Sequence, residues 1–150
     1  MMITKLPIEQ KEVADEVLTV QLPAYRIEAA IIESDAIPAL RDTVDSLMGC
    51  GEIFYGLRDE EALIGAISFK IEEDTLDIHR LVIHPDHFRK GIGRKLVKYV
   101  LEHHPEIRKF IVATGSKNTP ALQLYASEGF VAVRAFEVMP GLSITELEKN

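Results

Sequence analysis

The chain has a single cysteine, Cys50, in 150 residues. One thiol cannot close an intramolecular disulfide, which excludes a small secreted scaffold stapled by internal bridges. Cys50 lies in Leu47-Met48-Gly49-Cys50-Gly51, between a predicted helix and a predicted strand, and reads as a small packed side chain. A nucleophilic role would need a histidine partner and a depressed pKa, and neither is visible. Basic residues are also scarce: 17 Lys plus Arg stand against 24 Asp plus Glu, a net charge of −7. That balance excludes the broad basic face of a nucleic-acid binder and mildly favours a cationic partner. No apolar run approaches the ~20 residues that span a bilayer, so no membrane partner is expected. Residues 1–6 carry no basic segment leading into an apolar one, so no signal peptide is expected and the location implied is cytoplasmic. Four of the five histidines, His84, His87, His103 and His104, offer no metal site, and none is expected. His84 and His87 have no cysteine or ordered carboxylate set nearby, and His103-His104 ends an amphipathic helix.

What remains is an ordinary globular composition, 47% apolar and 27% charged, at a length that suits one domain over residues 1–150. Residues 2–6 read as a short strand. Pro7 opens a helix whose Ile8, Val13, Val17, Leu18 and Leu22 recur at helical spacing up to Pro23. Residues 24–34 are ambiguous, and residues 38–48 read as a second helix. Residues 52–58 and 62–72 form a predicted hairpin, followed by a strand over 75–83 that ends at His84-Pro85. From Gly91 the period changes: Ile92, Leu96, Val97, Val100 and Leu101 share one helical face, and Pro105 ends the helix. A strand over 110–114, a helix over 118–128 stopped by Gly129, and strands over 130–138 and 143–148 complete the chain. The crossover after Ile83 makes strands 75–83 and 110–114 parallel neighbours. The fold class is a mixed α/β sheet with helices on its faces.

Phe88-Arg89-Lys90-Gly91-Ile92-Gly93-Arg94 joins a strand to that amphipathic helix. A helix's first turn has backbone N–H groups without intrahelical partners and partial positive charge. Glycines there let a backbone wrap closely around an anion, and Arg89, Lys90 and Arg94 add charge, so the turn suits a pyrophosphate. Leu96 stands where a dinucleotide fingerprint needs its third glycine and where a P-loop needs its hydroxyl, and both are excluded. Downstream, Asn118-x-x-Ala121-x-x-x-Tyr125-x-x-x-Gly129-Phe130 places a helix cap at Asn118 and a stop at Gly129. By spacing alone, Tyr125 is a core aromatic.

Together, Ile83-His84-Pro85, the Gly91-Ile92-Gly93 turn and the Asn118 to Phe130 motif resemble the acetyl-CoA-binding core of the GNAT superfamily of N-acetyltransferases, most specifically over residues 62–130. The resemblance implies a mostly antiparallel sheet of six to seven strands flanked by about four helices and splayed between the two parallel strands. It implies that the pantetheine arm of acetyl-CoA lies in the gap against backbone at Leu81, Val82 and Ile83. The pyrophosphate would sit on the turn from Phe88 through Arg89, Lys90, Gly91, Ile92 and Gly93 to Arg94, with Asn118 and Tyr125 further along the cofactor. Phe88 departs from the family, which carries Gln or Arg there.

In the implied reaction acetyl passes to a primary amine of a small molecule or protein. Tyr125 protonates the departing thiolate, and a backbone N–H at Leu81 polarises the thioester carbonyl. The base is open between Asp77, His79 and water; alternation puts Asp77 and His79 on one strand face with Leu81 and Ile83. Tyr25, Arg26 and Glu28 could face the acceptor, with Glu28 able to hold an amine. A non-catalytic acyl-CoA-binding module of the same fold is the alternative, and monomer and homodimer both stay open.

Overall fold

The computed structural model describes residues 2–150. Its strands β1 (Ile3–Leu6), β2 (Ile53–Asp59), β3 (Ala62–Glu72), β4 (Thr75–Ile83), β5 (Lys109–Gly115), β6 (Val131–Met139) and β7 (Leu142–Lys149) form one sheet in the order β1-β2-β3-β4-β5-β7-β6. Every neighbouring pair is antiparallel except β4 and β5. Helices α1 (Lys11–Ile32) and α2 (Val44–Met48) cover one face, and α3 (Ile92–Glu102) and α4 (Thr119–Ser127) the other. On the α1 side Leu6, Val17, Leu47, Phe54 and Val82 pack together. On the α3 side Ile67, Phe69, Leu76, Ile78 and Leu96 do the same. β6 closes one edge with all nine of its residues exposed.

The first helix opens at Lys11 rather than at Pro7, and two further helical expectations need correction. Pro23 does not end the first helix; α1 runs through it to Ile32 and takes in residues read as ambiguous. A proline inside a helix frees the carbonyl four residues back. Here that carbonyl belongs to Thr19, an exposed residue, so water can satisfy it while Val17, Val20, Gln21 and Tyr25 hold the helix down by burial. The helix expected over 38–48 is instead a 3₁₀ turn at Pro38–Arg41 followed by α2. Asp42 interrupts it in an extended conformation (ψ 148°), with its carboxylate turned to Arg80 and Gln21. Thr43 then restarts the helix through a reciprocal cap with Ser46.

The feature that shapes the site is a bulge in β4. Arg80 lies opposite Ser68, but the next pair toward the start of β4 is Ile78 with Phe69, leaving His79 as the extra residue. Leu76 and Ile78 belong to the α3-side core, as do Leu81 and Ile83, whereas Val82 belongs to the α1 side. One extra residue has reversed the alternation. Asp77 and His79 therefore do not share a face with Leu81 and Ile83, contrary to simple period-two counting.

Candidate active site

β4 and β5 pair only over Thr75–Ile78 against residues 109–112, although β4 continues to Ile83 and β5 to Gly115. Beyond Ile78 they diverge around a cleft of about 1080 Å³. The His84 N–H donates to the Ile64 carbonyl on β3 at 2.8 Å. Peptide groups of an antiparallel strand face their partner at alternate residues, so Val82 also bonds toward β3. Leu81 and Ile83 turn their N–H and C=O groups into the gap. Val82 is corrected accordingly: its peptide faces β3 and its side chain is buried against α1.

At the mouth, Gly91 caps α3 with φ 72°, preceded by Arg89 at φ 66°. Among the described residues no side chain caps this helix, so the first-turn N–H groups, from Ile92 to Arg94, keep their hydrogen-bonding capacity for a ligand. The two glycines do different things. A Cβ on Gly91 would meet nothing within 4 Å, so its lack of a side chain serves the backbone conformation. A Cβ on Gly93 would come 3.0 Å from Leu124 and 3.3 Å from Ile83, so this glycine lets α3 approach α4 and β4. Phe88, Arg89 and Arg94 line the same cleft. Lys90 does not; its Nζ lies 3.1 Å from His87 Nδ1. Open backbone donors, a positive helix end and unobstructed space over Gly91 fit a pyrophosphate.

Further in, Tyr125 projects from α4, 4% exposed, its ring edge-on to Phe130 at 5.4 Å. Among the described residues nothing bonds its hydroxyl, and the side chain lines the cleft. Burial, with the nearby Glu28 charge, pushes its phenol well above the ordinary value, so it stays protonated. Asn118 caps α4 by accepting from the Ala121 N–H at 3.3 Å and donates through Nδ2 to Glu28 Oε1 at 3.0 Å. Burial raises the Glu28 carboxyl, a shift the Asn118 hydrogen bond partly opposes. Tyr25, one helical turn before Glu28, is buried and likewise held protonated. Arg26 is exposed and does not line the cleft.

On the α1 side of the bulge His79 sits between two carboxylates, 3.4 Å from Asp77 and 3.7 Å from Glu52. Burial raises the Asp77 carboxyl, with His79 pulling the other way. His79, Glu52 and Arg80 line the cleft, whereas Asp77 does not. Arg80 donates to Glu52, Gln21 and Asp42. Burial would raise Glu52, but hydrogen bonds from Arg80 and Ser68 outweigh it and hold the carboxyl below its usual range. Glu52 and Arg80 were invisible as site residues. The one available signal was a guanidinium inside an otherwise apolar strand end, Arg80-Leu81-Val82-Ile83.

Comparison with known proteins agrees with this architecture. Residues 15–130 match the Acetyltransferase (GNAT) family. UPF0157 protein YqkA of Bacillus subtilis (strain 168) is 42% identical over 144 residues, 96% of this chain but 42% of the relative, so the chain spans less than half of that protein's length. An acetyltransferase from Thermus thermophilus superposes with a TM-score of 0.78 at 18% identity, covering 99% of this chain and 97% of the other. The PaiA N-acetyltransferase from Thermoplasma acidophilum, solved in complex with coenzyme A, superposes with a TM-score of 0.72 at 20% identity over 100% and 99% of the two chains. With a family match over most of its length and the splayed parallel pair that such a fold requires, this chain belongs to the GNAT family of acetyltransferases.

Proposed function

We propose that the protein is an N-acetyltransferase that moves an acetyl group from acetyl-CoA to a primary amine. One observation carries the reading: the open α3 turn, the gap-facing backbone of Leu81 and Ile83, and the Tyr125 side chain all border a single cleft. A coenzyme A complex of a structurally similar protein supports the choice of donor.

Each residue then has a task. The N–H groups of Ile92, Gly93 and Arg94 bind the pyrophosphate, with Arg89 and Arg94 beside it. Leu81 and Ile83 pair with the pantetheine amides as an added strand. The Leu81 N–H is the donor for the oxygen that gains charge at the thioester carbonyl. Tyr125 gives its proton to the thiolate as the C–S bond breaks; burial keeps that proton on the phenol at neutral pH.

The experiment is a thermal-shift titration paired with a thiol-release assay. Coenzyme A raises the unfolding midpoint by mass action, whereas ATP does so weakly or not at all. Acetyl-CoA with an amine panel releases free thiol. No shift with millimolar coenzyme A overturns the reading. A shift with no thiol release from any amine makes the protein an acyl-CoA-binding module.

A further inference from the structure

We infer that Glu28 holds the acceptor's ammonium group in the cleft and takes its proton, and that the acceptor is a primary amine with an apolar body and no carboxylate beside the nitrogen. The inference rests on the N-acetyltransferase reading and names the substrate class of that same site.

Glu28 has one oxygen committed and one to spare. Oε1 accepts from Asn118 Nδ2 at 3.0 Å, which fixes the carboxylate, while Oε2 has no protein partner among the described residues. The side chain lines the cleft, and no buried side-chain oxygen or nitrogen among the described residues is left unsatisfied, so Oε2 must reach cleft solvent. The carboxylate lines the same cleft as the Tyr125 side chain, and its charge acts on that phenol. Asp77 does not line the cleft, and His79 is wedged between Asp77 and Glu52.

The charges then select the substrate. Arg80, the guanidinium on this side of the cleft, is taken up by Glu52, Asp42 and Gln21. The other arginines lining the cleft, Arg89 and Arg94, belong to the α3 turn. A carboxylate next to the acceptor nitrogen would therefore meet Glu28 and Glu52 with no free arginine or lysine among the described residues on this side of the cleft to receive it. Ile27, Ile31, Ile37, Leu142 and Ile144 line the cleft and suit an apolar body.

In the reaction the ammonium gives one proton to Glu28, and the neutral nitrogen attacks the thioester carbonyl. As the C–S bond breaks, the thiolate takes the Tyr125 proton. The second proton lost from nitrogen restores the phenol through water, and the Glu28 proton leaves to solvent, one per turnover. Glu28 must be ionised to start, and burial raises its pKa, so kcat/KM falls on the acid side. The titratable groups around Glu28 are the Tyr25 and Tyr125 phenols, both held protonated, with Glu52 and Arg80 acting on Tyr25 from beyond.

The test uses phenethylamine and phenylalanine, identical but for the carboxylate, with wild-type protein and Glu28→Gln, both loaded with coenzyme A for calorimetry or acetyl-CoA for turnover. Phenethylamine should bind at least about tenfold tighter than phenylalanine, the change expected for one well-placed charge. Glu28→Gln should keep the coenzyme A thermal shift, lose that preference, lower kcat/KM by roughly 10²–10⁴ and remove the acid limb. Equal affinity for the two ligands overturns the inference, as does a Glu28→Gln enzyme with unchanged kcat/KM and acid limb. Amine binding without turnover in the wild type would instead fail the acetyltransferase reading and the proton transfer, leaving the Glu28 anchor standing.

Discussion

Arg80 grips Glu52 with two nitrogens, Nε at 3.0 Å from Oε1 and Nη2 at 3.2 Å from Oε2. The Glu52 side chain is 7% exposed and that of Arg80 12%. This fork joins the start of β2 to the bulged part of β4. Asp42 and Gln21 extend it to the loop before α2 and to α1. A buried pair of this kind contributes little against an apolar replacement, but breaking one partner leaves a stranded charge.

Arg80→Met should therefore destabilise the protein by about 3–5 kcal/mol at neutral pH. The pH dependence follows from the carboxyls. Glu52 and Asp42 are both held below their ordinary values. Their contribution is whole above the unfolded carboxylate range of about 4 and is lost as pH falls through the lowered native values. Urea unfolding at about pH 7 and about pH 3.5 should show a smaller mutational penalty in acid. An equal penalty at both would mean that the ion pairs are not its source.

The two turn glycines should separate conformation from contact. Gly91→Ala adds no clash but forces a left-handed residue, at about 1–3 kcal/mol. Gly93→Val drives a branched side chain into Leu124 and Ile83, which costs about 1–3 kcal/mol in the manner of an overpacked core. The coenzyme A thermal shift should shrink in the first variant and vanish in the second. A full shift in Gly93→Val would remove the α3 turn from the cofactor site.

Tyr125→Phe removes one oxygen and leaves the Phe130 contact. With no protein partner for the hydroxyl among the described residues, stability should change by no more than about 0.5 kcal/mol. Coenzyme A affinity should hold, and kcat should fall by roughly 10²–10⁴. The loss should shrink for acyl donors with a more acidic thiol. Unchanged turnover under chemistry-limited conditions would return Tyr125 to the core role that its spacing alone suggests.

Most of the scaffold was legible because it depends on local signals. β3 and β4 begin and end where alternation and turn residues placed them, and Asn118 and Gly129 bound α4 as cap and stop. Misreadings arose where a distant partner outweighs a local rule. Pro23 looks like a helix end until the burial of Val20, Gln21 and Tyr25 is counted. Asp42 breaks a helix to reach Arg80, 38 positions later. The Glu28–Asn118 contact spans 90 positions and leaves no local pattern.

The proline inside α1 offers a direct measure of that competition. Pro23→Ala returns a donor to the Thr19 carbonyl and removes a ring clash, worth up to about 3 kcal/mol in a helix interior. The looser unfolded chain takes back about 0.4–1 kcal/mol. The net expectation is a stabilisation of about 2 kcal/mol by urea unfolding. A loss of stability would show that the proline ring packs better than an unbent helix could.

The extra residue at His79 acts as a frameshift within a strand. Upstream of it, odd-numbered side chains such as Asp77 face α1; downstream, even-numbered ones such as Arg80 and Val82 do. Deleting His79 would therefore restore plain alternation along β4. If the pairing were otherwise kept, Ile78 opposite Phe69 would be followed directly by Arg80 opposite Ser68, so Arg80 would still face Glu52 and Leu81 would stay on the α3 side. A single-codon deletion would thus straighten the strand and remove the imidazole between Asp77 and Glu52, while the Arg80–Glu52 pair kept its place.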